Sequence, residues 1–235
     1  EGNVAIHVTP NPDGDSFEVA GRGELQLAVL IETMRREGYE LTIGRPRVLL
    51  REENGQKFEP IEEAIIDVDD EHTGAVVSTL TERKGELVDM RPSGAGRTRL
   101  RLLVPTRSLI GYQPQLLQDT RGTAIFNRLF HEYAPYKGPL PGRRTGVLIS
   151  NSGGAAVAYA LWNLEDRGPM MIDPGVDVYE GMIIGEHSRE NDLEVNPIKG
   201  KQLTNIRTQS KDEAVRLTPP KRLTLEQSLG YISDD

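Results

Sequence analysis

A chain of 235 residues exceeds one ordinary domain, and its length implies two or three compact units. With 37% hydrophobic and 27% charged residues, each unit can bury a core, which excludes global disorder. The absence of cysteine excludes disulfide scaffolds, thiolate metal sites and cysteine nucleophiles, and a net charge of −8 argues against a protein coated all over in nucleic acid.

Val4-Ala5-Ile6-His7-Val8 alternates as a strand, and Asn11-Pro12-Asp13-Gly14-Asp15 is a turn. Residues 16–20 read as a second strand. Leu25, Leu27, Ala28, Leu30, Ile31 and Met34 share one face of a helix that Gly38 terminates. Residues 39–43 and 47–51 read as extended. The resulting order, β-β-α-β, is that of a βαββαβ sandwich without its first strand and helix.

The next segment supplies the complete pattern. Ile61, Ala64, Ile65, Ile66 and Val68 mark a strand that runs into Asp67, Asp69, Asp70 and Glu71, carboxylates suited to a helix N-terminus. A helix is predicted over 73–84, with Gly85 ending it. A hairpin follows, from 87–90 to 98–104 across Pro92-Ser93-Gly94-Ala95-Gly96. Its second arm alternates Arg97, Arg99 and Arg101 with Leu100 and Leu102, which sets three guanidinium groups on one face. A second helix is predicted over 108–120 and a last strand over 122–133. Residues 135–144 form a Pro/Gly-rich linker. Beyond it, residues 155–166 are the most helical stretch, 170–172, 178–184 and 193–195 read as short strands, and Thr224 with Gln227 caps a final helix over 224–231.

The fold class is therefore α+β. A truncated ferredoxin-like (βαββαβ) domain is expected at 1–56, a complete ferredoxin-like domain at 57–137, and a mixed α+β, β-rich C-terminal domain at 138–235.

Motifs for chemistry are few. G-x-x-x-x-G-K-[ST], whose amides and lysine cradle phosphates, does not occur in the sequence. Asn151-Ser152-Gly153-Gly154-Ala155-Ala156 lacks a lysine or hydroxyl at the required spacing and reads as a tight turn into a helix. His7, His72, His131 and His187 are scattered, and the acidic run at 67–71 lacks the oxygen spacing of a calcium loop, so helix capping explains it. No catalytic residue, metal site or cofactor is assigned to this chain.

Charge is split along the chain. Residues 163–195 hold nine acids and two bases, a net of −7. Residues 199–222 hold seven bases (Lys199, Lys201, Arg207, Lys211, Arg216, Lys221 and Arg222) and two acids, a net of +5. The segment from Lys199 to Lys211 also carries Gln202, Thr204, Asn205, Thr208, Gln209 and Ser210, loop chemistry rich in phosphate donors. The acidic stretch leaves open a second reading, a protein-interaction module that holds a basic partner. No window approaches the roughly 18 apolar residues of a membrane span, and Glu1-Gly2-Asn3-Val4-Ala5-Ile6 has no signal-peptide pattern. A cytoplasmic location is expected, and both ends are expected to be cuts within a longer protein.

Gly21-Arg22-Gly23-Glu24-Leu25-Gln26-Leu27 resembles the G-x-G-E-L-x-L signature in the third domain of elongation factor G and its relatives. Ser108-Leu109-Ile110-Gly111-Tyr112, with Thr120-Arg121-Gly122-Thr123-Ala124, is similar to the second helix and last strand of their fifth domain. Gly146-Val147-Leu148-Ile149-Ser150, the stretch from Asp173 to His187, and Lys199 to Arg207 through Leu217-Thr218-Pro219-Pro220 resemble the C-terminal domain peculiar to the TypA/BipA translational GTPases. The resemblance covers essentially the whole chain.

It implies a parent whose GTP and Mg are held by an amino-terminal G domain outside this chain, so the fragment itself is no enzyme. It implies binding to the 70S ribosome or large subunit, contacts with 23S rRNA and A-site tRNA, and a part in ribosome assembly, translation and stress response. No membrane partner is expected, and the chain is expected to be a monomer. The terminal contact loop maps onto Lys199–Lys211. The RNA-binding candidates are Lys199, Lys201, Asn205, Arg207, Lys211, Arg216, Lys221 and Arg222, with Arg97, Arg99 and Arg101 on the hairpin. Loss of the first strand and helix of the third domain is expected to expose a sheet edge and part of one face.

Overall fold

The structure, a computed structural model, describes residues 5–12, 14–141, 145–200 and 216–232. Contacts divide the chain into two units, one formed by residues 1–141 with 224–235, the other by 142–223.

In the first unit, β1 (His7–Pro10) pairs antiparallel with β2 (Phe17–Ala20). The turn between them is closed by the Asn11 amide on the Ser16 carbonyl at 2.9 Å and by Asn11 Nδ2 on Ser16 Oγ at 2.7 Å. Helix α1 (Glu24–Arg36) ends as its sequence requires. Gly38 adopts φ +89°, its amide donates to Arg35 O, and the Tyr39 amide reaches Met34 O, which satisfies the last carbonyls in a Schellman motif. Val8, Phe17, Leu25 and Val29 remain more than half exposed.

The extended readings of 39–43 and 47–51 are corrected. Residues 39–50 form no regular element, and among the described residues no strand pairs with them. A strand needs a neighbouring edge for its amides and carbonyls, and Tyr39 and Leu49 lie 58% and 65% exposed without one. Regular pairing resumes at β3 (Arg51–Glu53), which hairpins onto β4 (Gln56–Asp69) through Asn54 and Gly55 at φ +53° and +77°. Asn-Gly is the strongest short hairpin signal.

From β4 the chain runs through α2 (Thr73–Glu82), β5 (Glu86–Gly94), β6 (Arg97–Pro105), α3 (Tyr112–Asp119) and β7 (Ile125–Pro135). The sheet order is β5-β6-β4-β7, antiparallel throughout, with β3 extending the start of β4. This β-α-β-β-α-β course is consistent with a ferredoxin-like fold. Alternate residues of the strands (Ala64, Ile66 and Val68 on β4; Leu100, Leu102 and Val104 on β6) bury against Val76 and Leu80 of α2 and Tyr112 and Leu116 of α3. At roughly 1.5–3 kcal/mol for each large side chain buried, this layer dominates the unit's stability.

Two helix ends differ from expectation. The stretch predicted as one helix over 108–120 is a 3-10 turn (Thr106–Leu109) and then α3, broken where Gly111 adopts φ +67°. At the end of α2, the left-handed position falls on Lys84, at φ +69°, one residue before Gly85. Gly85 is required for another reason: a Cβ there would sit 2.8 Å from the Leu80 carbonyl oxygen, which accepts the Gly85 amide.

In the second unit, β8 (Val147–Ser150) is the centre of a three-stranded sheet. Around it lie β9 (Gly154–Ala155), α4 (Ala158–Leu164), β10 (Asp177–Val178), β11 (Ile183–Glu186) and β12 (Leu193–Val195). β11 flanks β8 antiparallel and β12 flanks it parallel, while β9 pairs with β10. Leu148, Leu161, Met170 and Ile184 fill the core. The glycine run at 151–156 leads into β9 before the helix, so α4 starts at Ala158 rather than 155, and the preceding amides of Ala156 and Val157 bond to Val176 O and Pro197 O. The strand predicted over 178–184 is two short strands around a turn at Gly181 (φ +89°), and the stretch 170–172 contributes one bridge, Met170 to Gly185.

The last helix, α5 (Leu225–Tyr231), belongs to the first unit. It carries both bonds of the capping box, the Gln227 amide on Thr224 Oγ1 at 3.3 Å and the Thr224 amide on Gln227 Oε1 at 2.8 Å. Gly230 meets Gly111 backbone to backbone, so a Cβ on Gly111 would lie 2.9 Å from Gly230 Cα.

A lysine in the left-handed region costs on the order of 1 kcal/mol that glycine avoids, partly offset by glycine's greater freedom in the unfolded chain. Lys84→Gly should therefore raise the protection of the Leu100 and Leu102 amides by roughly 0.5 kcal/mol in hydrogen exchange, whereas Gly85→Ala should lower it.

Candidate nucleic-acid interface

Antiparallel register decides what the hairpin arginines do. Asp67 lies opposite Arg99 and Asp69 opposite Arg97, with Ile65 opposite Arg101. On the next strand Arg91 lies opposite Arg99 and Asp89 opposite Arg101. All of these project from the sheet face that the helices leave open. The arginines share one face, as their alternation requires, and they share it with acids.

Each guanidinium is paired. Arg99 holds Asp67 through Nε and Nη2 at 2.9–3.1 Å. Arg97 holds Asp69 at 2.8 Å and also donates to the carbonyls of Asp67 and Thr123, both at 2.9 Å. Arg101 pairs with Glu63, and Arg91 with Asp89 at 2.6 Å. The reading of residues 67–71 as helix-capping acids is thereby corrected. Asp69 stands at the N-cap of the 3-10 turn Asp70–His72 and makes no side-chain cap bond. Its second oxygen accepts from Thr123 Oγ1 at 2.8 Å, and Asp70 accepts from Thr98 Oγ1 at 2.7 Å. Two features that look separate in the sequence are the halves of one ion-paired lattice.

The hydrogen bonds from Arg99 hold the Asp67 carboxyl below the ordinary aspartate value, against the opposing effect of burial, and Asp67 in turn raises the Arg99 guanidinium.

The C-terminal candidates fall in three groups. Lys199 and Arg216 are exposed and form no ion pair with any described residue. Lys221 pairs with Glu186 at 2.7 Å and Arg222 with Asp173 at 2.6 Å, both at the surface of the second unit. Lys201, Asn205, Arg207 and Lys211 lie outside the described residues. Among the acids of the 163–195 stretch, Asp166, Asp177, Glu180, Glu190, Asp192 and Glu194 are exposed and form no ion pair with a described residue. No group of three or more metal-ligating side chains occurs among the described residues, and no described helix is long and apolar enough to cross a membrane.

Sequence reasoning missed one charged centre. Glu59 is fully buried and pairs with Arg107, whose Nη2 also donates to Gly138 O at 2.6 Å. The Lys137 amide donates to Glu59 Oε1 at 2.8 Å, and the Arg107 guanidinium lies 4.5 Å from the centre of the Tyr136 ring. The start of the Pro/Gly-rich linker is thus bound down on the first unit. Neither Glu59 nor Arg107 carries a local signal, because they lie 48 residues apart. Glu24, in the G-x-G-E-L-x-L stretch, likewise acts at long range, accepting from the Gly111 amide at 2.9 Å.

The lowered Asp67 value sets a pH dependence. A carboxyl depressed in the folded state adds stability above its unfolded value near 3.9, and that stability is lost as pH falls through the folded value. Asp67→Asn should be less stable than the parent chain at pH 7. The gap should close below about pH 4, as measured by urea unfolding across pH.

Residues 145–235 match the model of the TypA/BipA C-terminal domain, and residues 56–144 match that of the elongation factor G C-terminus. Curated relatives named large ribosomal subunit assembly factor BipA align over 99% of this chain. They are 51% identical in Escherichia coli K12, 50% in Haemophilus influenzae Rd and 47% in Bacillus subtilis 168. The chain spans 38–39% of the length of these relatives. A crystal structure from Thermus thermophilus aligns with 35% of this chain and 12% of its own, at 27% identity and a TM-score of 0.33. With both C-terminal modules matched in order and half of the residues shared along nearly its whole length, the chain belongs to the TypA/BipA family and corresponds to the C-terminal region of its members.

Proposed function

We propose that this chain is the ribosome-docking part of a large-subunit assembly factor, and that it acts by binding, with GTP hydrolysis left to a G domain of the full-length protein. The observation that carries this reading is the 47–51% identity, over 99% of the chain, to relatives named for large ribosomal subunit assembly. The partners are the large subunit or the 70S ribosome, with 23S rRNA and A-site tRNA as the RNA contacted, in the cytoplasm.

Geometry supports placing the RNA contact on the second unit. Phosphate is held by cations that are not already neutralised. Lys199 and Arg216 meet that condition among the described residues, and they bracket the segment that holds Lys201, Asn205, Arg207 and Lys211. The Lys221 and Arg222 pairs are surface pairs, worth roughly 0–1 kcal/mol and open to exchange for phosphate. Arg97 and Arg99, by contrast, are each held by two or more hydrogen bonds inside the sheet lattice.

Association with purified large subunits should weaken steeply between 50 and 200 mM salt, by on the order of tenfold or more. Lys199→Glu and Arg216→Glu should each lower the logarithmic salt slope by about one. A flat salt response in sedimentation would remove phosphate docking as the mechanism. The six exposed acids of the second unit that have no ion-pair partner among the described residues support another reading, capture of a basic ribosomal protein. In that case binding survives nuclease treatment and the two charge reversals leave it unchanged.

A further inference from the structure

Residues 217–222 lie on the second unit as a strap without regular secondary structure. Its backbone and its charged side chains are held by separate bonds. Pro219 and Pro220 each restrict φ to about −65° and offer no amide donor, so anchoring falls to the amides on either side. Thr218 N–H donates to Glu165 Oε1 at 2.6 Å, and Lys221 N–H to Met170 O at 2.8 Å. Leu217 packs against the core of the unit.

The side chains bond elsewhere. Lys221 Nζ reaches Glu186 Oε2 at 2.7 Å, and Arg222 Nη2 reaches Asp173 Oδ2 at 2.6 Å. Neither pair carries a backbone anchor, so both cations can change partner while the strap keeps its place.

The fate of the abandoned acid decides whether such a change is favourable. In the sheet of the first unit it is not. The Asp67 side chain is 12% exposed, and withdrawing Arg99 would leave a partly buried charge unpaired. Asp173 is 44% exposed, so water replaces Arg222 there. Glu186 is more enclosed, but its Oε1 accepts from Thr145 Oγ1 at 3.1 Å, a bond that departure of Lys221 from the other oxygen leaves intact.

We propose that Glu186 and Asp173 are internal competitors for the RNA phosphates that Lys221 and Arg222 bind, so that docking exchanges carboxylate for phosphate on a fixed backbone. This exchange rests on the phosphate docking proposed above and gives two acids the role of setting its strength. Its consequence is opposite in sign to that of a structural ion pair: removing the carboxylate strengthens binding.

The test is co-sedimentation of the whole chain with purified large subunits across a salt series. Glu186→Gln and Asp173→Asn keep size and a hydrogen-bond acceptor. Each should tighten binding about threefold and steepen the logarithmic salt slope, and together they should tighten it about tenfold. In a Lys221→Met background the gain from Glu186→Gln should vanish, as should that from Asp173→Asn beside Arg222→Met. Unchanged or weaker binding of the amide variants overturns the exchange. So does an equal gain with and without the cation, which marks a general change of field. Trp162, the chain's only tryptophan, lies on α4 of the second unit, and its fluorescence through urea unfolding reports whether each variant is folded.

Hydrogen exchange supplies a measurement on the unsubstituted chain. A peptide spanning 217–222 should keep its protection in the complex, and loss of that protection overturns the fixed backbone and the exchange with it. Failure of the unsubstituted chain to co-sediment, or a flat salt response, overturns the phosphate docking itself. Salt-steep docking that the amide variants leave unaltered overturns the exchange alone.

Discussion

Strand β4 is paired along both of its edges, to β7 on one side and to β3 and β6 on the other, and its register fixes the first unit. Because strand side chains alternate, a shift of one residue would carry Ala64, Ile66 and Val68 to solvent and Asp67 and Asp69 into the core. The magnitudes identify which term sets the register. Burying three aliphatic side chains outweighs three surface ion pairs by several kcal/mol. The ion pairs then follow from the register and penalise alternatives, since a slipped sheet would juxtapose unlike neighbours and strand a carboxylate. The arginines are consequently part of the sheet's own charge balance.

A second long-range pair acts at the other end of β4. Glu59 is taken out of water entirely and is stabilised by Arg107 and the Lys137 amide. Removing one partner of such a buried pair typically costs about 3–5 kcal/mol. This pair therefore ties the strand, the turn after β6 and residues 136–138 into one structure. The linker composition suggests a spacer, yet its first residues are held by specific bonds. The helix α5 is joined to the same unit by a glycine–glycine approach that admits no side chain at Gly111.

Charge in this protein is thus distributed in two ways. In the sheet, acids and bases are interleaved and cancel at contact distance. In the second unit the acidic and basic residues are separated along the chain, and exposed members of both signs lack partners among the described residues. Cancelled charge favours contact with a protein surface, and separated charge favours attraction of an ionic partner, with screening over about 10 Å at 0.1 M salt.

Local signals in the sequence determined a good deal by themselves. The β-α-β-β-α-β order of residues 56–135 follows from apolar periodicity, the stop of α1 from Gly38, and the cap of α5 from Thr224 and Gln227, because each depends on residues within a turn or a strand of one another. Family motifs also lie within short stretches. Tertiary structure alone decided the rest. Residues 39–50 have the composition of strands and no edge to join; the predicted helix over 108–120 breaks where Gly230 needs room at Gly111. Arg97, Arg99 and Arg101 were legible as a shared face, but their neutrality depends on acids about 30 residues earlier that only the sheet's register brings opposite them. Pairing across a sheet leaves no trace in local spacing, so a row of arginines in the sequence reads as free charge until its partners are in place.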